Sequence, residues 1–385
     1  MKRSLWLVIL SATVVLCTAP TAGFGQAPAQ TDHPKGYYTV IPLREVIPGA
    51  ARISAAAATT IPMWDYTITS PVDGVSYSGM MVGRSPFFHG ARTTDVPAII
   101  VPTKIVIGGV AFDPTVADPT CSPSGTALAL VQASPVLQST AFTLGGTSVG
   151  TTQYSDAFQR GNFWTNVSVT GDRYHTMLSP VTTLAPITVN VPSGSGATNN
   201  AGCGRIGVMD FNWWLPYVES TIIPSLAAQG VNPTTLPIFL FYNVVMSQGA
   251  PTLTGNCCIL GYHSAFGSPV QTYSQFDFDT TKLFDSDTAS MSHEIAEWMD
   301  NPLGTNPTPL WGHIGQATGC QNNLEVGDPL SGTAFPPVSM PNGYTYHLQE
   351  LAFFSWFYRQ SPSIGVNGWD SDNGTFTAGQ ATVCK

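Results

Sequence analysis

Thr288-Ala-Ser-Met-Ser-His-Glu-Ile-Ala-Glu-Trp-Met299 is the stretch on which the fold of this chain turns. It runs into Asn301-Pro302, and a residue preceding proline is pushed out of the helical region. The sequence therefore predicts a helix over 288–299. Inside it stands His293-Glu294-Ile295-Ala296-Glu297. Positions i and i+4 share one face of a helix, so His293 and Glu297 can offer an imidazole nitrogen and a carboxylate oxygen to one ion. Glu294 points beside that face, where it can take a proton from a water acidified by the ion. Six glutamates and seven histidines in 385 residues are too few for the pattern to follow from acidic composition.

A catalytic zinc site keeps three protein ligands and one open position. Glu325, in the polar, turn-rich Gln321–Pro329 segment (QNNLEVGDP), is the first choice for the third ligand, with Asp328, His313 and His347 as rivals. Calcium, held by Glu325 with Asp328, is the alternative ion. Plainer readings stand beside these: a hydrogen-bonded His293–Glu297 pair, Glu294 as a surface carboxylate, Glu325 as a turn cap. His263 reads as structural, with a substrate contact as its alternative. Ser292 cannot serve His293 as a nucleophile, because adjacent helical residues diverge. No G-x-S-x-G elbow and no phosphate-cradling loop occurs.

H-E-x-x-E resembles the H-E-x-x-H helix of the zincin metallopeptidases, whose Glu is the general base. Here Glu297 stands where the second histidine would. The order of helix, buried strand, edge strand and metal helix after residue 205 is similar to the zincin upper subdomain. Ser292–Glu297 followed by Asn301-Pro302-Leu303 also resembles the exordium-like, phosphate-induced secreted proteins. Gly261-Tyr262-His263 and Glu325-Val326-Gly327-Asp328 match further elements of related bacterial proteins. These resemblances imply a fold over about 205–350 and a water-based hydrolysis.

The N-terminus reads as a secretory signal: Lys2 and Arg3, the apolar run Leu5–Val15, then small residues through Gly25. Cys17 raises a lipid anchor, but Leu16 stands where a small residue is usual. The expected organisation is a signal peptide over 1–25, a linker or arm over 26–58, a β-rich domain over 59–204, and a zincin-like domain over 205–385. The fold class is α+β, with the Gly-rich Pro192–Gly204 stretch as boundary. Alternating Met63–Thr69 and apolar Pro97–Ile107 predict strands, and Thr152–Phe163 a helix. Asp210–Ala228 reads as a helix with an acidic cap, and Pro237–Met246 as a buried strand. Val270–Phe278 reads as an edge strand able to align an extended peptide.

Six cysteines remain after the signal, enough for three bridges. Cys257 and Cys258 are expected to bond to different partners, because a vicinal bridge is strained. A net charge of −9 argues against nucleic acid and anionic membrane surfaces, and no second apolar run approaches a membrane span. The aromatic stretch Tyr344–Tyr358 reads as core, with a carbohydrate platform as alternative. Together these point to a secreted or periplasmic zinc peptidase acting on peptide or protein substrates. The alternative is a non-catalytic binding or cell-surface protein on the same scaffold.

Overall fold

The computed structural model describes residues 36–42, 60–87, 92–170, 173–284, 287–314 and 320–377. The signal-peptide reading, most of the 26–58 arm, Cys17 and Cys384 lie outside the described residues.

β8, Leu236–Tyr242 (LPIFLFY), is buried at every residue. A strand apolar on both faces needs cover above and below and a partner on each side. Its partners are β2, Arg92–Ile107, and β11, Gln271–Phe278, both parallel to it. The other members of this 11-stranded mixed sheet are β1 (Tyr37–Ile41), β3 (Val110–Phe112), β4 (Tyr174–Thr183) and β5 (Ile187–Asn190). They continue with β6 (Gly196–Asn200), β7 (Arg205–Asp210), β9 (Val244–Ser247) and β10 (Cys257–Phe266). Eight of them follow the path β6-β7-β9-β10-β11-β8-β2-β3, which curls into a nearly closed, barrel-like sheet. β1 adds to β10, and β4 and β5 add to β2.

This overturns the expected α+β class with a zincin-like C-terminal domain. The described residues are 41% strand and 20% helix. Strands from either side of residue 204 share the sheet, with Leu236–Leu240 in register with Ala98–Pro102. The Gly-rich 192–204 stretch contributes β6, which pairs with β7 as a hairpin.

Alternate residues of β2 feed two apolar clusters on opposite faces of the sheet, Ala98 and Ile100 one, Ile99 and Val101 the other. The first cluster also takes in Tyr346, Phe353, Phe354, Trp356, Phe357 and Tyr358, so the aromatic stretch is core. Asp210 caps the helix Phe211–Tyr217, its Oδ1 accepting from the Asn212 N–H at 2.9 Å.

β11 is an inner strand, between β10 and β8, and all eight residues are buried. Three of its polar residues have interior partners instead of water. Thr272 accepts from the Trp298 indole at 3.0 Å, Gln271 donates to the Thr235 carbonyl at 3.1 Å, and Asp277 accepts from the Val244 N–H at 2.9 Å. No open edge remains there for a peptide.

Two helices matter for the site: α1, Tyr154–Asn162, and α2, Ala289–Asp300. α2 packs on β10 and β11 and against the Thr345–Gln349 strand, so every residue from Ser290 to Asp300 is buried. Cys121 bonds to Cys203, and Cys257 bonds to Cys258. The adjacent cysteines thus bond to each other, contrary to expectation. Cys121 and Cys203 already satisfy one another, and Cys320 lies exposed with no sulfur partner among the described residues.

Candidate metal centre

Gly261 and His263 are two residues apart on β10, so both face α2. A Cβ on Gly261 would lie 2.8 Å from Glu294 Cγ, so the glycine makes room for that side chain. His263 beyond it brings Nδ1 to 3.2 Å from Glu294 Oε2 and 3.8 Å from Glu297 Oε2. Its other nitrogen, Nε2, lies 3.1 Å from the Asn301 carbonyl. That carbonyl can only accept, so Nε2 carries the proton and Nδ1 turns a lone pair to the carboxylates.

His293 is held the same way. Gln349 donates from Nε2 to the Gly327 carbonyl at 2.6 Å, which turns its Oε1 toward His293 Nδ1 at 3.0 Å. Nδ1 therefore donates, and Nε2 faces Glu297 Oε1 at 3.0 Å and Asp328 Oδ1 at 3.6 Å. Nε2 is fully buried and lies outside hydrogen-bond geometry with either oxygen. Glu297 Oε1 is fixed from behind by the backbone N–H groups of Gly327 and Asp328, at 3.1 and 3.2 Å. Gly327 must be glycine for space alone, since a Cβ there would sit 2.3 Å from His293 Nδ1.

Of the four residues singled out in the sequence, the structure places His293, Glu294 and Glu297 in groups able to hold an ion, and leaves Glu325, the first choice for third ligand, outside both groups. Glu325 lies on the His263 side: its Oε1 accepts from Asn301 and Asn323 at 2.5 and 3.0 Å, and its Oε2 is 3.9 Å from His263 Nε2. Asp328 closes the group around His293. His313 stands behind it, with Nδ1 2.9 Å from the Asp328 carbonyl. His347 pairs with Asp287 at the surface, outside the cluster. Gln349 and Gly327 are the members that sequence reading missed, and His263 was read there as structural or as a substrate contact, not as a ligand. The Gly-Tyr-His triplet was the available signal, since on a strand it sends Gly and His to one face and Tyr to the other.

Burial, with Glu297 and Asp328 nearby, holds the Glu294 and Glu325 carboxyls well above the usual range. Burial and then Glu297 push Asp328 up to about 7. Burial also pushes His263 down to about 4. Burial works against a charged Glu297 too, but the adjacent His293 and His263 outweigh it and bring Glu297 below the usual range. Burial likewise opposes a charged His293, and Glu297 and Asp328 outweigh it in the other direction. Four carboxylates and two imidazoles so placed attract positive charge.

Zinc bonds of about 2.1 Å in a tetrahedron set ligand atoms about 3.4 Å apart. The separations here, 3.0 and 3.6 Å around His293 and 3.2 and 3.8 Å around His263, bracket that value. Two buried groups can each hold a metal ion: His293–Glu297–Asp328 and His263–Glu294–Glu297. Tyr38 of β1 stacks on the His293 ring, centroids 3.7 Å apart. Beside Tyr38 and Gln349 lies a cavity of about 290 Å³, with Leu260, Phe284 and Leu348 in its wall.

No described helix is long and apolar enough to cross a membrane. Comparison with protein-family models, curated proteins and solved structures finds no match, so the two His–carboxylate groups are themselves the guide to what the chain does.

Proposed function

We propose that this protein is a secreted metal-dependent hydrolase, and in its finer reading a zinc peptidase. The observation that carries the proposal is His293 Nε2. It is a buried ring nitrogen 3.0 Å from Glu297 and 3.6 Å from Asp328, with its ring oriented by Gln349, and neither contact has hydrogen-bond geometry. Buried polar atoms are rarely left so, and a back-bonded imidazole is the usual support of a metal ligand.

A bound zinc ion supplies Lewis acidity, polarising a carbonyl and acidifying a water. The chain's own residues do the rest. Glu294 keeps Oε1 buried and unpartnered, available to accept a proton and return it to a leaving amine. The cavity beside Tyr38 and Gln349 suits an apolar side chain of a peptide.

A second reading, a binding protein with a structural ion, has one observation in its favour. All six cluster side chains are buried, and Tyr38 covers His293. Elemental mass spectrometry of the full chain beside His293→Ala, with a peptide-cleavage screen of wild type and Glu294→Gln, separates the readings. Zinc in the wild type, with cleavage lost in a folded, zinc-loaded Glu294→Gln, is the expected result. Zinc without cleavage favours the binding protein. A well-folded chain that takes up no zinc overturns the metal reading.

A further inference from the structure

We propose that the cluster holds two divalent cations, bridged by the Glu297 carboxylate, with His263 as the imidazole ligand of the second. The inference rests on the metal reading above and adds a site to it.

The two oxygens of Glu297 serve different histidines: Oε1 is 3.0 Å from His293 Nε2, and Oε2 is 3.8 Å from His263 Nδ1. Among the described residues no set of ligand atoms within 4.8 Å of one another takes in both histidines. Each imidazole therefore serves its own ion. The two rings are prepared alike, each with its remote nitrogen donating to an oxygen, Gln349 Oε1 for one and the Asn301 carbonyl for the other. Such backing fixes the tautomer and aims the other nitrogen.

The donor set leads to the same count. Glu294, Glu297 and Asp328 bring three carboxyl groups into a space closed to water beside the two imidazoles, so that each ion has one imidazole and two carboxyl groups, with Glu297 shared. Carboxylate-bridged pairs of this kind stand roughly 3.5–4 Å apart and clamp both ends of a displacement. Glu294 gives Oε2 to the second ion and keeps Oε1 free, which preserves its part in proton transfer.

The test is a zinc titration of the chelator-treated full chain, read by calorimetry and elemental analysis. Two zinc ions per chain are expected in the wild type, falling to one in His263→Ala and one in His293→Ala. If the His263 variant fails to fold, electron paramagnetic resonance of the Mn²⁺-loaded wild type decides. A spin-coupled pair supports the bridge, and an isolated six-line spectrum overturns it. A single zinc, unchanged in a folded His263→Ala, also overturns the second site while leaving the one-ion hydrolase standing. No zinc at all removes both.

Discussion

Replacing Gly327 by alanine tests the site's construction without touching a ligand. Gly327 has φ −87° and ψ −33°, which alanine adopts freely, so backbone strain adds nothing. The cost is steric. A Cβ would lie 2.3, 2.6 and 2.7 Å from Nδ1, Cε1 and Cγ of His293, so the ring must move by about 1 Å to reach ordinary contact. That motion breaks the 3.0 Å bond to Gln349, worth about 1 kcal/mol. Forcing the methyl into a closed core costs about 1–3 kcal/mol more. With an unfolding entropy of about 2 cal/mol/K per residue, a loss of about 2–4 kcal/mol lowers Tm by roughly 3–6 °C. Because the bond lost is the one that aims Nε2, zinc affinity should fall about 10- to 100-fold. Scanning calorimetry and a zinc titration read the two effects. A Gly327→Ala protein with wild-type Tm and wild-type zinc affinity would refute the argument that His293 is held in place from behind.

Two further predictions concern the scaffold. Asp300 is lifted to about 8, chiefly by burial, although Gln159 donates to it at 2.5 Å. Its folded pKa lies above the unfolded value, so its contribution to stability is full below about pH 4 and is lost as pH rises toward 8. Asp300→Asn should therefore stabilise by a few kcal/mol at pH 8 and hardly at all at pH 4, and equal denaturant midpoint shifts at both would count against it. Cys121 and Cys203 close a loop of separation 82, for which the chain-entropy model gives about 4.5 kcal/mol. Replacing both by serine should lower the denaturation midpoint accordingly, and an unchanged midpoint would show that the bridge does not constrain the unfolded chain.

Local signals were legible in the sequence where one element carries them. The i,i+4 spacing of His293 and Glu297 and the Asn-Pro stop mark α2, and Asp210 announces its cap. What failed was the reading of polarity as exposure. Gln271, Thr272 and Asp277 stand among aromatics as on a half-wet strand, yet each finds a partner inside the molecule. The same assumption divided the chain at residue 204, because a Gly-rich stretch looks like a linker until β6 is seen paired with β7. His263 was read as structural because a strand histidine shows its role only when the helix it faces is known. The pairing of β2 with β8 lies beyond local pattern altogether, joining residues more than 130 positions apart.

Asn301, the residue that ends α2, also fastens it. Its N–H reaches back to Glu297 at 2.6 Å, and its carbonyl receives His263. Its side-chain amide donates to Glu325 and accepts from the N–H groups of Thr305 and Asn306. One residue inserted between His293 and Asn301 would turn one end of this span by about 100° relative to the other. The ligands and the fastening would then face different directions. A substitution on α2 away from the ligands disturbs one contact, whereas a change in its length misplaces every ligand at once, so this segment is bound to keep its count.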